Sequence, residues 1–98
     1  MALTIIVTRD VANRYRGFLA SVMLEIAAGV YVSPKMNAGV RLRAWKVMRK
    51  WHAEAPEGSI IMVWRDASKT GGIGIDTLGT PLKHLIELDG LWITRRSS

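Results

Sequence analysis

The chain has 98 residues, 49% hydrophobic and 22% charged, the balance of one globular domain spanning 1–98. It contains no Cys, which excludes disulfides, thiolate metal centres and thiol catalysis and fits a reducing cytoplasm; no apolar run approaches the ~20 residues of a membrane helix. Fourteen Lys and Arg against eight Asp and Glu leave a net charge of +6, and a pI near 10.3 is the electrostatic footprint of a nucleic-acid binder.

The charge is uneven. Residues 1–50 hold nine basic and two acidic side chains, residues 51–98 five and six. The positive field therefore belongs to the first half. A chain this short buries only about 60–65% of its extended surface, so a partner subunit is the expected extra source of buried area.

Residues 3–8 form a β-branched apolar run, read as a strand buried on both faces. The period then changes. Tyr15, Phe18, Leu19, Val22, Met23 and Ile26 make one stripe of an amphipathic helix over residues 11–28, and Gly29 stands where helices stop. Residues 30–32 read as a very short strand, broken by Ser33-Pro34. A second helix is expected over residues 37–54, with Val40, Ala44, Val47, Met48 and Trp51 as its apolar stripe. Pro56 and Gly58 close it.

Residues 60–64 read as a central strand. Ile73, Ile75 and Thr77 alternate with Gly74 and Asp76, the pattern of a half-exposed antiparallel neighbour. Thr80-Pro81 breaks it. Residues 86–88, an Asp89-Gly90 turn and residues 91–94 form a last extended stretch, and Arg95 and Arg96 a loose end. The elements read β-α-β-α-β-β-β. The simplest compact arrangement is a ferredoxin-like α/β (α+β) sandwich, an antiparallel sheet with two helices on one face and an extra C-terminal strand.

Several constellations could carry function. On the second helix, Arg43, Lys46, Arg49 and Lys50 lie opposite the apolar stripe, and no Asp or Glu occurs between Ile26 and Ala53. Cations spaced three or four apart repel, so the face is either plainly solvated or meets an external anion. Arg14 and Arg16 flank the first helix's stripe near its N-terminus, where guanidiniums suit phosphate oxygens. The competing reading pairs them with Glu25 or Asp10. Asp10 itself closes the first strand. The pattern favours it as the N-cap of the following helix; the alternative is a Mg2+ ligand, which would need a second carboxylate from a twofold partner. His52 reads as structural or solvated, and His84 could add to an anion site beside Lys83. Gly71 to Asp76 resembles one calcium β-roll unit, but such units need stacked repeats. Of the tryptophans, Trp45 alone falls off a core stripe and is free to stack. Leu88, Leu91, Trp92 and Ile93 lack obvious cover. They predict a partner-binding segment over residues 85–98 that adds to another chain's sheet, unless it pairs within its own.

These residues resemble a known family. Val7-Thr8, Arg14-Tyr15-Arg16-Gly17, Glu25-Ile26-Ala27-Ala28-Gly29-Val30-Tyr31-Val32, Trp45, Met62-Val63-Trp64, Thr77-Leu78-Gly79 and Leu88-Asp89-Gly90-Leu91 are similar to the second CRISPR-associated protein family, in its type I-E branch. That family is the small non-integrase subunit of the spacer-acquisition module. The resemblance implies a ferredoxin-like homodimer that bridges integrase dimers and holds duplex DNA, with no cofactor required and no membrane partner. It implies phosphate contacts at Arg14 and Arg16, and near Arg41. It places the branch's second basic pair on Leu82-Lys83, with His84 following. It also implies that residues from Leu88 onward engage the integrase. Other family members are Mg2+-dependent endonucleases on RNA or double-stranded DNA. Their strand-end Asp falls here on Thr8, and this branch's own acid on Arg9, leaving Asp10 one place late. A ferredoxin-like RNA-binding or toxin-type module outside CRISPR is the third reading.

Overall fold

The computed structural model describes residues 2–79, 83–88 and 90–96. Its elements are β1 (Ala2–Arg9), α1 (Asn13–Val22), β2 (Leu24–Ala27), β3 (Val30–Met36), α2 (Ala38–Glu54), β4 (Ser59–Arg65), β5 (Ile73–Leu78), β6 (Lys83–Leu88) and β7 (Leu91–Arg96), with a short 3-10 turn at Thr70–Gly72. Five strands form one antiparallel sheet in the order β2-β3-β1-β4-β5. β6 and β7 pair antiparallel as a separate two-stranded hairpin. The first six major elements run β-α-β-β-α-β, the ferredoxin-like order, and β5 extends the sheet beside β4.

The strand that completes this order is β2, which the spacing assigns to the first helix. α1 stops at Val22, and Leu24 to Ala27 turn back through Ala28-Gly29 to pair with β3. Ile26, placed on the helical stripe, is 64% exposed. Gly29 therefore serves a hairpin rather than a helix end. Its φ is +76°, and an added Cβ would lie 2.7 Å from the Thr8 carbonyl. Only glycine fits where two strands approach this closely.

β3 also runs further than expected, through Pro34 to Met36. Its pairing with β1 shifts register between Ala2 and Thr4, and its pairing with β2 ends at Val32. Pro34 thus lies in a bulge, beyond the reach of β2, where a missing N–H costs no ladder bond. α2 begins as expected: the Asn37 side chain accepts from the Val40 N–H at 2.8 Å. Arg95 and Arg96 belong to β7 rather than to a loose end.

The core lies between the helices and one face of the sheet. Ile6, Tyr31, Ile60, Met62 and Trp64 meet Tyr15 and Leu19 of α1 and Trp45 and Met48 of α2. Gly74 makes room for the Trp64 indole, which a side chain at that position would strike. Trp45 is 8% exposed, so it is a core residue and not a free stacking platform. Helical arithmetic misplaced it because the layer under α2 is wider than the stripe.

The opposite face of the sheet is bare. β1 does not bury both faces: Thr4 and Ile6 are buried, whereas Leu3 is 45% and Val7 40% exposed. Strand register places Ile5 and Val7 beside Val32, Val30, Val63 and Ile61, with Ile75 next to Val63. The outcome is an apolar sheet face that stays partly exposed among the described residues, with Leu3, Val7 and Ile61 the most open. The break at Thr80-Pro81, with Leu82 and Asp89, lies outside the described residues.

Candidate nucleic-acid interface

Arg14 and Arg16 leave α1 in different directions. The Arg14 guanidinium lies 4.6 Å from the Trp51 ring centroid and 6.0 Å from that of Tyr15. It also reaches Glu54 at 4.0 Å. Trp51 meets Tyr15 and Phe18 edge-on at 5.3 and 5.5 Å. This aromatic cluster locks α1 against the C-terminal end of α2 and fixes the plane beneath Arg14. Arg16 turns toward β2 and meets Glu25 at 3.7 Å; Glu25 also accepts from the Gly29 N–H at 3.3 Å. Both arginine side chains stay about half exposed. Each is oriented by a partner and still presents donors outward, as phosphate contact requires. The partners screen but do not cancel the charge.

The tyrosines beneath are neutral. The Tyr15 and Tyr31 hydroxyls are buried without a hydrogen-bond partner. Burial pushes both above the usual tyrosine range, with Arg14 beside Tyr15 opposing the shift and Glu25 beside Tyr31 reinforcing it.

Arg41 is not gathered with the other two. It sits in the first turn of α2, ten residues before Trp51, about 15 Å away along the axis. Its guanidinium lies 4.4 Å from the Trp64 ring, and its Nε is buried without a partner. Lys83, His84 and Leu88 lie on β6, opposite Arg96, Arg95 and Leu91 of β7; their side chains lie outside what is described. Leu91 and Ile93 are exposed, while the Trp92 indole N–H donates to the Thr70 carbonyl at 3.0 Å. Trp92 is thus turned toward its own chain.

Asp10 is exposed, with φ +58°, a conformation that Asp tolerates better than most residues. It does not cap the helix. The N-cap is Ala12, and no side chain bonds there. The Arg9 and Asp10 carbonyls instead crowd Gly58, leaving no room for a Cβ. The donor set does not fit a Mg2+ ion within one chain. Thr8 commits its hydroxyl to the Gly29 carbonyl at 3.2 Å, Arg9 is a cation, and no group of three His, Cys, Asp or Glu comes together among the described residues. No hydrolytic step is assigned to it.

Sequence reasoning missed two features. Helical spacing places Trp51 wholly in the core, but its ring face also carries Arg14. The bare sheet face had a signal in the continuous apolar run of β1, which can mean cover from outside the chain as readily as from within it.

Fold and surface together define a small ferredoxin-like protein with a cationic helix layer over one sheet face and an uncovered apolar face on the other. Residues 3–93 match the family described as CRISPR-associated protein (Cas_Cas2CT1978). The chain belongs to that CRISPR-associated family.

Proposed function

We propose that the protein is a non-catalytic scaffold of the type I-E CRISPR spacer-acquisition complex. It acts as a homodimer that bridges integrase dimers and holds duplex DNA by its phosphates. The observation that carries this reading is the helix layer itself, with Arg14 and Arg16 oriented yet half exposed on the basic half of the chain. The bare apolar sheet face supports a second copy as the dimer partner. The β6–β7 hairpin, with Leu91 and Ile93 exposed, supports an integrase contact through strand addition. Phosphate contacts of this kind are blind to sequence and weaken as salt rises.

One observation favours the alternative, a Mg2+-dependent endonuclease on RNA or double-stranded DNA. Asp10 is exposed at the end of β1 and uncommitted to a cap, so two copies could be brought together across a dimer. A single gel separates the readings. Labelled duplex DNA and single-stranded RNA are incubated with excess protein in Mg2+ or EDTA, beside Asp10→Ala. The scaffold reading expects intact substrate in every lane and retarded duplex at low salt. Cleavage that needs both Mg2+ and Asp10 would overturn it. Replacing Arg14 and Arg16 together with Ala should weaken binding to unrelated duplexes alike; a loss on one sequence alone would contradict backbone recognition.

A further inference from the structure

The outer face of α2 carries a dense cluster of positive charge outside the Arg14 and Arg16 site. Arg43, Lys46, Arg49 and Lys50 are all exposed. At ~100° per residue they fall within one arc of about 120°, opposite the buried Ala44 and Met48. The run from Arg43 to Lys50 covers about 10 Å of helix axis. Among the described residues, the ion pairs are Arg14 with Glu54 and Arg16 with Glu25, so none of these four cations has a carboxylate within 4.0 Å. Glu54 is the helix's single acid, and it is turned to Arg14. Arg43 with Lys46, Lys46 with Arg49, and Lys46 with Lys50 are like-charge neighbours that weaken an isolated helix. The arrangement is unfavourable for the chain alone and becomes favourable against a polyanion.

We infer that this face of α2 is a second duplex-binding surface, which takes the phosphate backbone of double-stranded nucleic acid beyond the segment held by Arg14 and Arg16. The inference rests on the duplex-binding reading above. Duplex DNA offers about one charge per 1.7 Å of axis, dense enough to meet all four cations over their 10 Å run. Arg43 and Arg49 can engage phosphates with two donors each. A protein partner fits less well. Interface cores are depleted of charge and built on apolar and aromatic anchors, whereas the one large apolar side chain on this arc is Leu42, 59% exposed. A lipid surface fits no better, because the apolar stripe an interfacial helix would insert is already buried in the core. The surface also joins the first site: Glu54, one turn beyond Lys50, touches Arg14, so the cations run on from one helix to the other.

The test is a salt titration of binding to two duplexes of unrelated sequence and equal length. It uses the full chain, a variant with Arg43→Gln, Lys46→Gln, Arg49→Gln and Lys50→Gln, and the Arg14→Ala, Arg16→Ala variant. The expected result is a log–log salt slope shallower by about 3 for the α2 variant on both duplexes, with affinity at low salt reduced more than tenfold. A charge-keeping control, Arg43→Lys with Arg49→Lys, should keep the slope, and circular dichroism should show all variants equally helical. Wild-type binding with an unchanged slope in the α2 variant would overturn this inference and leave the duplex-binding reading standing. The same result with loss of association to a partner protein would reassign the face to an acidic protein surface. A full chain that retards neither duplex would overturn both.

Discussion

The Arg14 guanidinium of α1 lies 4.6 Å from the ring of Trp51 on α2, so one helix supplies the cation and the other its orientation. Stacking on an aromatic face contributes about 0.5–1 kcal/mol at an exposed site. A double-mutant cycle with Arg14→Ala and Trp51→Leu, read by urea unfolding without nucleic acid, should return a coupling of about that size. Trp51→Leu alone should cost about 1–3 kcal/mol, since it also removes the edge contacts to Tyr15 and Phe18. Strict additivity would show that Arg14 is not held by the ring.

Two glycines should respond in opposite directions. Gly29→Ala places a Cβ against the Thr8 carbonyl at φ +76° and should cost about 2 kcal/mol or more. Gly17 lies inside α1 with nothing within 4 Å of an added Cβ. Gly17→Ala should therefore stabilise by about 0.5–1 kcal/mol. Denaturant midpoints at unchanged m-value decide both.

The folded state should lose stability toward both ends of the pH scale. Burial raises the pKa of Tyr15 and Tyr31, so the folded state holds those protons longer than the unfolded one. Their contribution is complete below the ordinary tyrosine range and is lost as pH rises through the raised values. Ultraviolet titration should show both phenols ionising late. Asp66 behaves oppositely. The Ser68 hydroxyl and N–H, at 2.6 and 3.0 Å, hold its carboxyl below the usual range. Its contribution is present above the ordinary carboxylate range and fades as pH falls through the lowered value. Asp66→Asn should flatten that acid limb.

Val7 and Ile61 are register partners on the bare sheet face, 40% and 37% exposed. If a second copy covers this face, Val7→Asp buries an unpaired charge there. At about 3 kcal/mol, the dimer dissociation constant should rise more than a hundredfold. Light scattering should then report a monomer that remains folded. A dimer that survives Val7→Asp would place the subunit contact elsewhere.

Leu91 and Ile93 project from β7 while Trp92 is bound to the Thr70 carbonyl. If the hairpin meets an integrase as proposed, Leu91→Asp with Ile93→Asp, or removal of residues 91–98, should abolish that association and leave the protein's own oligomeric state unchanged. A variant that assembles normally would show the hairpin to be an internal structure only.

The fold was largely legible from local signals. The second helix, expected over residues 37–54, forms over Ala38–Glu54, and residues 73–77 form the strand that their alternation suggests. Residues 60–64 form a strand as expected, but one buried on alternate residues rather than throughout. Leu24 to Ala27 were not legible. Ile26 keeps the helical spacing of Tyr15, Leu19 and Met23, and nothing nearby in the chain says that Val30 to Val32 will bind these residues as a strand. Asp10 stands where a cap is expected, but its backbone turns left-handed and Ala12 takes the N-cap position instead, with the helix beginning at Asn13.

The sequence by itself determined the charge asymmetry, the class of fold, the position of α2 and the placing of Arg14 and Arg16 on the first helix. Each rests on composition or on a period shorter than a few turns. The tertiary structure alone decided that β2 is a strand, that Trp45 is core, that Trp51 carries Arg14, and that one sheet face stays uncovered. The physical reason is range. Helix caps and alternation are written within neighbouring residues, whereas strand pairing, ring stacking and burial depend on segments tens of residues apart, whose meeting no local pattern encodes.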